Sequence, residues 1–206
     1  AFPFPSPQGS QVYVRGVLNG LTTLGHRVIL LCYGHGEGEA DSGYEIIRAP
    51  MLPGYRNMRA GPDLVKPFLD LSLSYLLAQM NPDVVHVHNY EAPIVEFIAQ
   101  IRRKVPVVYS AHNLMQEELH TYFERPILQR FAKRFGRALD RNIPRRADHT
   151  IVIREESVTK LQSLGCTSVS YVAPGIDPIE FSGIVEKKLP PGKWVVYAGN
   201  LDMYQN

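Results

Sequence analysis

An α/β protein with an open, mostly parallel sheet and helices on both faces is the fold class that this sequence of 206 residues predicts. Three observations lead there. Short runs rich in aliphatic and β-branched residues, at 27–33, 84–88, 105–110, 150–153 and 168–172, read as strands buried on both faces. Between most of them lie segments whose apolar residues recur at steps of three and four, the period of a helix. The two kinds of segment alternate along the chain, and strands joined by helical crossovers lie parallel.

The elements follow in order. Residues 9–24 form a helix with Val14, Val17, Leu18, Leu21 and Leu24 on one face and Gly25 to end it. Helix, glycine and the strand at 27–33 make half of a βαβ unit. Residues 34–43 are polar and glycine-rich, hence loop, and 44–49 form a second short strand. Residues 50–61, with two prolines, two glycines, two arginines and Tyr55, form an exposed connection able to fold over a pocket. A helix is expected over 62–80, which Pro67 either kinks or starts.

Asn81-Pro82-Asp83 turns the chain into the strand at 84–88. Residues 92–103 are apolar at helical spacing, 105–110 are a strand, and 111–124 are polar and irregular with a short helix. The clearest helix is 126–143: Ile127, Leu128, Phe131, Phe135, Ala138, Leu139 and Ile143 lie on one side, and Arg130, Lys133, Arg134, Arg137 and Arg141 on a solvated other side. A strand at 150–153, a helix at 155–164 closed by Gly165 and a strand at 168–172 follow. Residues 173–178 are a turn-rich break, 181–192 a linker, 194–198 a fresh strand and 199–206 the loop after it.

Composition narrows the function classes. With 45% hydrophobic and 20% charged residues the chain reads as an ordinary soluble protein, and a net charge of +2 argues against a nucleic-acid partner. The charge is uneven: residues 125–146 hold eight basic side chains and one acid, Asp140, so the remainder is net negative. Cys32 and Cys166, a single distant pair, make no disulfide framework and favour a reducing, cytoplasmic compartment. The longest apolar run, 28–33, is too short to cross a bilayer, so a soluble or peripheral protein is expected.

In parallel α/β sheets ligands bind beyond the carboxyl ends of the strands. The polar residues there are His86 and His88 with Asn89, Tyr90 and Glu91; Ser110 with His112 and Asn113; and Gly175 with Asp177. His86 and His88 alternate onto one strand face, a spacing open to zinc, but no ligand set of matching spacing accompanies them and no metal is expected. His88 reads as a group lining the crevice. His112 puts an imidazole at the crevice mouth, either bonding a substrate hydroxyl or serving structure.

Glu117 and Glu118, about 100° apart on a helix, are not a facing acid/base pair. Ser110 has no base at recognisable spacing and no nucleophile elbow, which argues against a hydrolase triad. Neither a lysine-bearing phosphate loop nor a G-x-G-x-x-G fingerprint is present. The proline-stiffened stretch 3–10 stops at Gly9 and opens a helix, whose free N–H groups suit an anion. The arginine-rich helix face beside aromatics also suits anionic lipid head groups.

Seven segments in order resemble the N-terminal domain of retaining GT-B glycosyltransferases, the large family with sucrose synthases and cell-wall mannosyl- and glucosyltransferases. They are Gln8-Gly9-Ser10-Gln11-Val12-Tyr13-Val14, Leu24-Gly25-His26-Arg27-Val28, Pro82-Asp83-Val84-Val85-His86-Val87-His88, and Pro106-Val107-Val108-Tyr109-Ser110-Ala111-His112-Asn113. Ala147-Asp148 through Glu156, Pro174-Gly175-Ile176-Asp177 and Val196-Tyr197-Ala198-Gly199-Asn200 continue the series.

The resemblance implies a Rossmann-like acceptor-side domain over 1–178 that lacks the family's first, central strand. A linker over 179–193 and the start of a nucleotide-sugar-binding domain over 194–206 would follow. It implies transfer of a sugar from a nucleotide-sugar donor to a glycan or lipid-linked acceptor, without a cofactor. Gly9, Ser10 and Gly199 would bind the donor phosphates, His112 would touch the transferred sugar, and His88, Asn89, Tyr90 and Asn113 would line the cleft. Gly175 and Asp177 would mark the approach to the linker. These residues alone are expected to lack transfer activity. A sugar-nucleotide epimerase of the same fold and a noncatalytic anion- or carbohydrate-binding module are the alternatives. Contact with an anionic membrane through the Arg130 to Arg141 helix face, at the inner side, would be peripheral.

Overall fold

The computed structural model describes residues 4–5, 9–34, 43–50, 66–90, 95–97, 104–175 and 192–193. The chain divides into two units, Ala1–Gly175 and Ile176–Asn206. Of the second only residues 192–193 are described, so the strand expected at 194–198 and most of the linker before it lie outside the described residues. The same holds for the connection at 50–61 beyond its first residue and for most of the helix expected at 92–103, of which 95–97 are helical.

Helix α1 (Gly9–Thr23) buries Gln11, Val14 and Leu18, which share a face at steps of three and four. It ends in a Schellman motif. Gly25 takes φ 87°, its N–H reaches the Thr22 carbonyl at 2.9 Å, and the His26 N–H reaches Leu21 O at 3.1 Å. The chain then enters β1 (Ile29–Cys32), which pairs in parallel with β2 (Glu45–Arg48), Ile29 opposite Glu45. Val14 and Leu18 pack on Leu30, Cys32 and Phe4.

Helix α2 (Lys66–Ala78) begins one residue before Pro67, which therefore stands in the first turn, where its missing N–H costs no helical bond. Leu69 and Leu73 of α2 pack with Tyr33, Ala49 and Val95, and the Tyr33 hydroxyl donates to Asp70 Oδ1 at 2.6 Å.

Strands β3 (Val85–His88), β4 (Val107–Ala111), β5 (His149–Val152) and β6 (Val169–Tyr171) form a second, four-stranded parallel sheet in that order. Its core holds Val87, Val107, Tyr109, Ala111 and Val152, capped by Leu161 and Cys166. The Asp148 carboxylate ties β5 to β4 by accepting the Val107 N–H at 2.8 Å. Helix α5 (Glu155–Ser163) stops as α1 does: Gly165 sits at φ 90° and the Cys166 N–H reaches Leu161 O at 3.0 Å. Both cysteines are free and buried.

The fold class is thus the expected parallel α/β one, but the described strands make two sheets, β1-β2 and β3-β4-β5-β6. Side chains connect them: Val95, beyond β3, packs with Tyr33 beyond β1, and Tyr13 of α1 meets the ring of His88.

Helix α3 (Met115–Glu118) and a 3₁₀ turn (Leu119–Tyr122) lead to α4 (Pro126–Asn142). The helix is where the periodicity puts it, but of its apolar side only Leu139 and Ile143 pack inward. Ile127, Phe131 and Phe135 are 71%, 76% and 59% exposed, whereas Ala132, Gly136 and Asp140 are buried. The reason is close approach of backbones. A Cβ on Gly136 would stand 2.3 Å from the Met115 carbonyl oxygen, so only a residue without one lets α4 lie on the start of α3.

Gly136→Ala is therefore expected to lower stability by about 1–3 kcal/mol in urea unfolding, as overpacking does, although alanine is normally the better helix former. Gly20→Ala in α1, where a Cβ meets nothing within 4 Å, should leave stability unchanged or raise it.

Candidate active-site histidine cluster

Alternation along β3 puts His86 and His88 on one face, and their ring centroids lie 4.2 Å apart. In the ladder His86 stands opposite Val108 and His88 opposite Ser110. Each ring reaches the same-face side chain two residues further along β4. His86 Nε2 lies 2.8 Å from Ser110 Oγ, and His88 Nδ1 lies 3.2 Å from Nε2 of His112, just past the end of β4. From α1, Tyr13 stands edge-on to His112 with centroids 4.9 Å apart, and its hydroxyl bonds to Ser110.

Burial disfavours charge on every ring. It pushes His86 and His112 down to about 4 and His88 well below the usual range, neighbouring imidazoles adding to the effect at His88 and His112. Burial also raises the Tyr13 hydroxyl, against the bond from Ser110. The cluster is accordingly neutral at pH 7. Among the described residues no group of three His, Cys, Asp or Glu side chains is arranged to hold a metal ion. His88 and His112 turn ring nitrogens toward each other rather than toward a common point.

The structure thus joins three sequence candidates, His86, His88 and His112, and adds Tyr13. Ser110 does have a histidine at hydrogen-bond distance, which its spacing in the chain conceals. The serine is fully buried and bridges His86 to Tyr13, so the pair is structural rather than a nucleophile and its base. Asn89 turns the chain after β3 in the left-handed region at φ 62°, its N–H on Ser110 O at 3.3 Å. Tyr90 packs at the edge of Met115, Leu119 and Ala132. Asn113 is half-buried.

Gly9 is exposed as the first residue of α1, and the Ser10 hydroxyl donates to Gln11 Oε1 at 2.7 Å. Gly175 is exposed; Glu91, Asp177 and Gly199 lie outside the described residues.

Asp140 is the residue that periodicity left unremarked. From α4 its Oδ1 accepts the Met115 N–H at 2.8 Å and its Oδ2 the Gln116 N–H at 2.9 Å, capping α3 directly after the His112 loop. Burial raises this carboxyl to about 6, opposed by those two bonds and reinforced by Glu117 and Glu118. The signal available was a lone acid in line with Ala132 and Gly136, one and two turns away, in an otherwise basic helix.

A parallel α/β domain with polar side chains gathered at the carboxyl ends of adjacent strands is the architecture of ligand-binding doubly wound domains. The Glycosyltransferase Family 4 model matches residues 7–180, and the chain belongs to that family. Its fold is similar to sucrose-phosphate synthase from Thermosynechococcus elongatus, with TM-score 0.62 at 14% identity, over 81% of this chain and 42% of that one. It is also similar to Anabaena HepE, solved in complex with UDP and glucose, with TM-score 0.54 at 15% identity, over 85% of this chain and 44% of that one. Both are GT-B glycosyltransferases, and the chain spans less than half the length of either. No curated protein matches it.

Two predictions follow from the charges. Unfolded histidines take up protons near 6.5, but folded His86 and His112 do so only at about 4 and burial holds His88 well below its ordinary range, so stability is full above 6.5 and is lost as pH falls below it. Asp140 acts oppositely, because the folded carboxyl keeps a proton from about 6 that the unfolded one holds only below 3.8. Three histidines outweigh one carboxyl, and the unfolding free energy from urea titrations between roughly pH 7 and pH 5 should fall by about 1.4 kcal/mol per pH unit for each net proton. Asp140→Ala strands two backbone N–H groups and is expected to cost about 1–3 kcal/mol for each one left unsatisfied, with faster hydrogen exchange at Met115 and Gln116.

Proposed function

We propose that the chain is the acceptor-side domain of a glycosyltransferase that moves a sugar from a nucleotide-sugar donor with retention of configuration. Its acceptor is a growing polysaccharide, a lipid-linked glycan or a small molecule, and it acts in the cytoplasm, in cell-wall or polysaccharide assembly. The observation that carries this reading is His112, in a chain of this family: a neutral imidazole beyond the carboxyl end of β4 and against Tyr13 of α1.

In such a transfer the bond from the anomeric carbon to the diphosphate oxygen breaks, and the electron pair leaves with the diphosphate. A bond to the acceptor oxygen forms as that hydroxyl's O–H bond breaks and its proton passes to the departing diphosphate oxygen, and the sugar is cationic in between. A neutral His112 can hydrogen-bond the sugar without placing a second positive charge beside it. The backbone N–H groups of Gly9 and Ser10, at the positive end of the α1 dipole, take the charge of the departing diphosphate, with Gly199 from the donor side. His88, Asn89, Tyr90 and Asn113 form the wall of the sugar cleft, and Gly175 and Asp177 lead toward the linker.

HepE was solved with UDP and glucose, which makes UDP-glucose the first donor to try in a panel of nucleotide sugars. With the complete natural polypeptide, turnover of one donor is expected, and His112→Ala should lower kcat about 100-fold while donor affinity changes little. Residues 1–206 alone should show no turnover of any nucleotide sugar; turnover by them would overturn the assignment to the acceptor side.

The orientation of α4 favours a second reading, peripheral attachment to an anionic bilayer. At 100° per residue, Ile127, Phe131, Phe135 and Leu128 occupy one exposed arc, and Arg134, Arg141, Arg130, Arg137 and Lys133 the arc beside it. No helix among the described residues is long and apolar enough to cross a membrane. Sedimentation with phosphatidylglycerol vesicles at low salt should capture the protein, phosphatidylcholine should not, and joint Phe131→Ser and Phe135→Ser replacement should weaken capture at least about 10-fold. Indifference to anionic vesicles would discard this reading.

A further inference from the structure

The contact between two neutral rings in the cluster carries more than a distance. We infer that His88 is a positioning residue that fixes the tautomer of His112, and that both rings hold their proton on the same-named nitrogen. This rests on the reading that His112 touches the transferred sugar.

His88 Nδ1 and His112 Nε2 lie 3.2 Å apart, and both rings are buried. A hydrogen bond between two nitrogens needs one donor and one acceptor, and a neutral imidazole carries a single N–H. If His88 donates from Nδ1, His112 accepts at Nε2 and must hold its own proton on Nδ1. If His112 donates from Nε2, His88 accepts at Nδ1 and must hold its proton on Nε2. Unlike tautomers would set two hydrogens or two lone pairs face to face, at the cost of a buried unsatisfied pair. Only the two like-named arrangements close the contact.

The groups facing the pair leave the arrangement intact. His86 is stacked beside His88 but commits its Nε2 to Ser110, and Tyr13 meets both rings through its ring rather than through its hydroxyl. None of these groups is charged at neutral pH, His86 because burial lowers it and Tyr13 because burial raises it. The remaining nitrogen of His112 is therefore a donor when His88 donates and an acceptor when His88 accepts, so its role is tied to a residue 24 positions earlier in the chain.

Long-range proton–nitrogen spectra of the 15N-histidine-labelled chain at neutral pH separate protonated from bare ring nitrogens. Like tautomers on His88 and His112 are expected; unlike ones overturn the inference. His88→Phe should turn His112 into a mixture of tautomers. His88→Asn, which keeps one hydrogen-bonding atom near the Nδ1 position, should restore a single form. In the complete polypeptide, with whichever donor the nucleotide-sugar panel selects, His88→Phe should lower kcat about 10–100-fold with KM within about threefold, and His88→Asn should recover most of the loss. Should His88→Phe fail to fold, the native spectrum and the asparagine variant decide alone. A single unaltered His112 tautomer in His88→Phe would overturn the inference whatever the activity. Absence of any sugar transfer would sink the proposed function and leave the tautomer result standing.

Discussion

The parallel register between β3 and β4 is the constraint on which the site depends. Val85 opposite Val107 fixes His86 opposite Val108 and His88 opposite Ser110, and both histidines then bond to the side chain two positions further on. Both bonds span 24 residues because one ladder sets them. A slip of one residue would turn the imidazoles to the other face and break both contacts at once. The histidines thus depend on the apolar residues between and around them, Val87, Val107 and Tyr109, which hold the ladder in the core.

Much of this was legible in the sequence. The alternating runs and periods gave parallel strands and helices close to where they stand, and period-two spacing put His86 and His88 on one face. Gly25 and Gly165 announced helix ends. What was not legible was whatever depends on register or rotation. No spacing in the chain says that Ser110 will meet His86, because they stand 24 positions apart on two strands, and none says that the imidazoles will be buried deeply enough to lose their charge. At α4 the apolar arc was visible, but not which part of it would face inward. That is decided by the small residues Ala132 and Gly136 and by the two backbone bonds that Asp140 accepts.

This orientation ties the surface of the domain to its interior. Asp140 and Gly136 hold the start of α3, which follows His112 by three residues, and by doing so turn Phe131 and Phe135 outward. Changing the anchor would disturb both the loop carrying the imidazole and the exposed aromatic arc. Burial of a carboxyl raised to about 6 is the cost of placing that anchor where backbone N–H groups need it.

The paired helix stops have a consequence for how such a chain can diversify. α1 and α5 end in the same hydrogen-bonded glycine geometry, each at the amino end of a strand, so their connections are short, self-contained and indifferent to what lies at the strands' other ends. Loops at the carboxyl ends can be lengthened or replaced without unsettling these joints. A scaffold stapled on one rim is free to vary the other, which is how a single architecture can be refitted to new ligands while its frame stays the same.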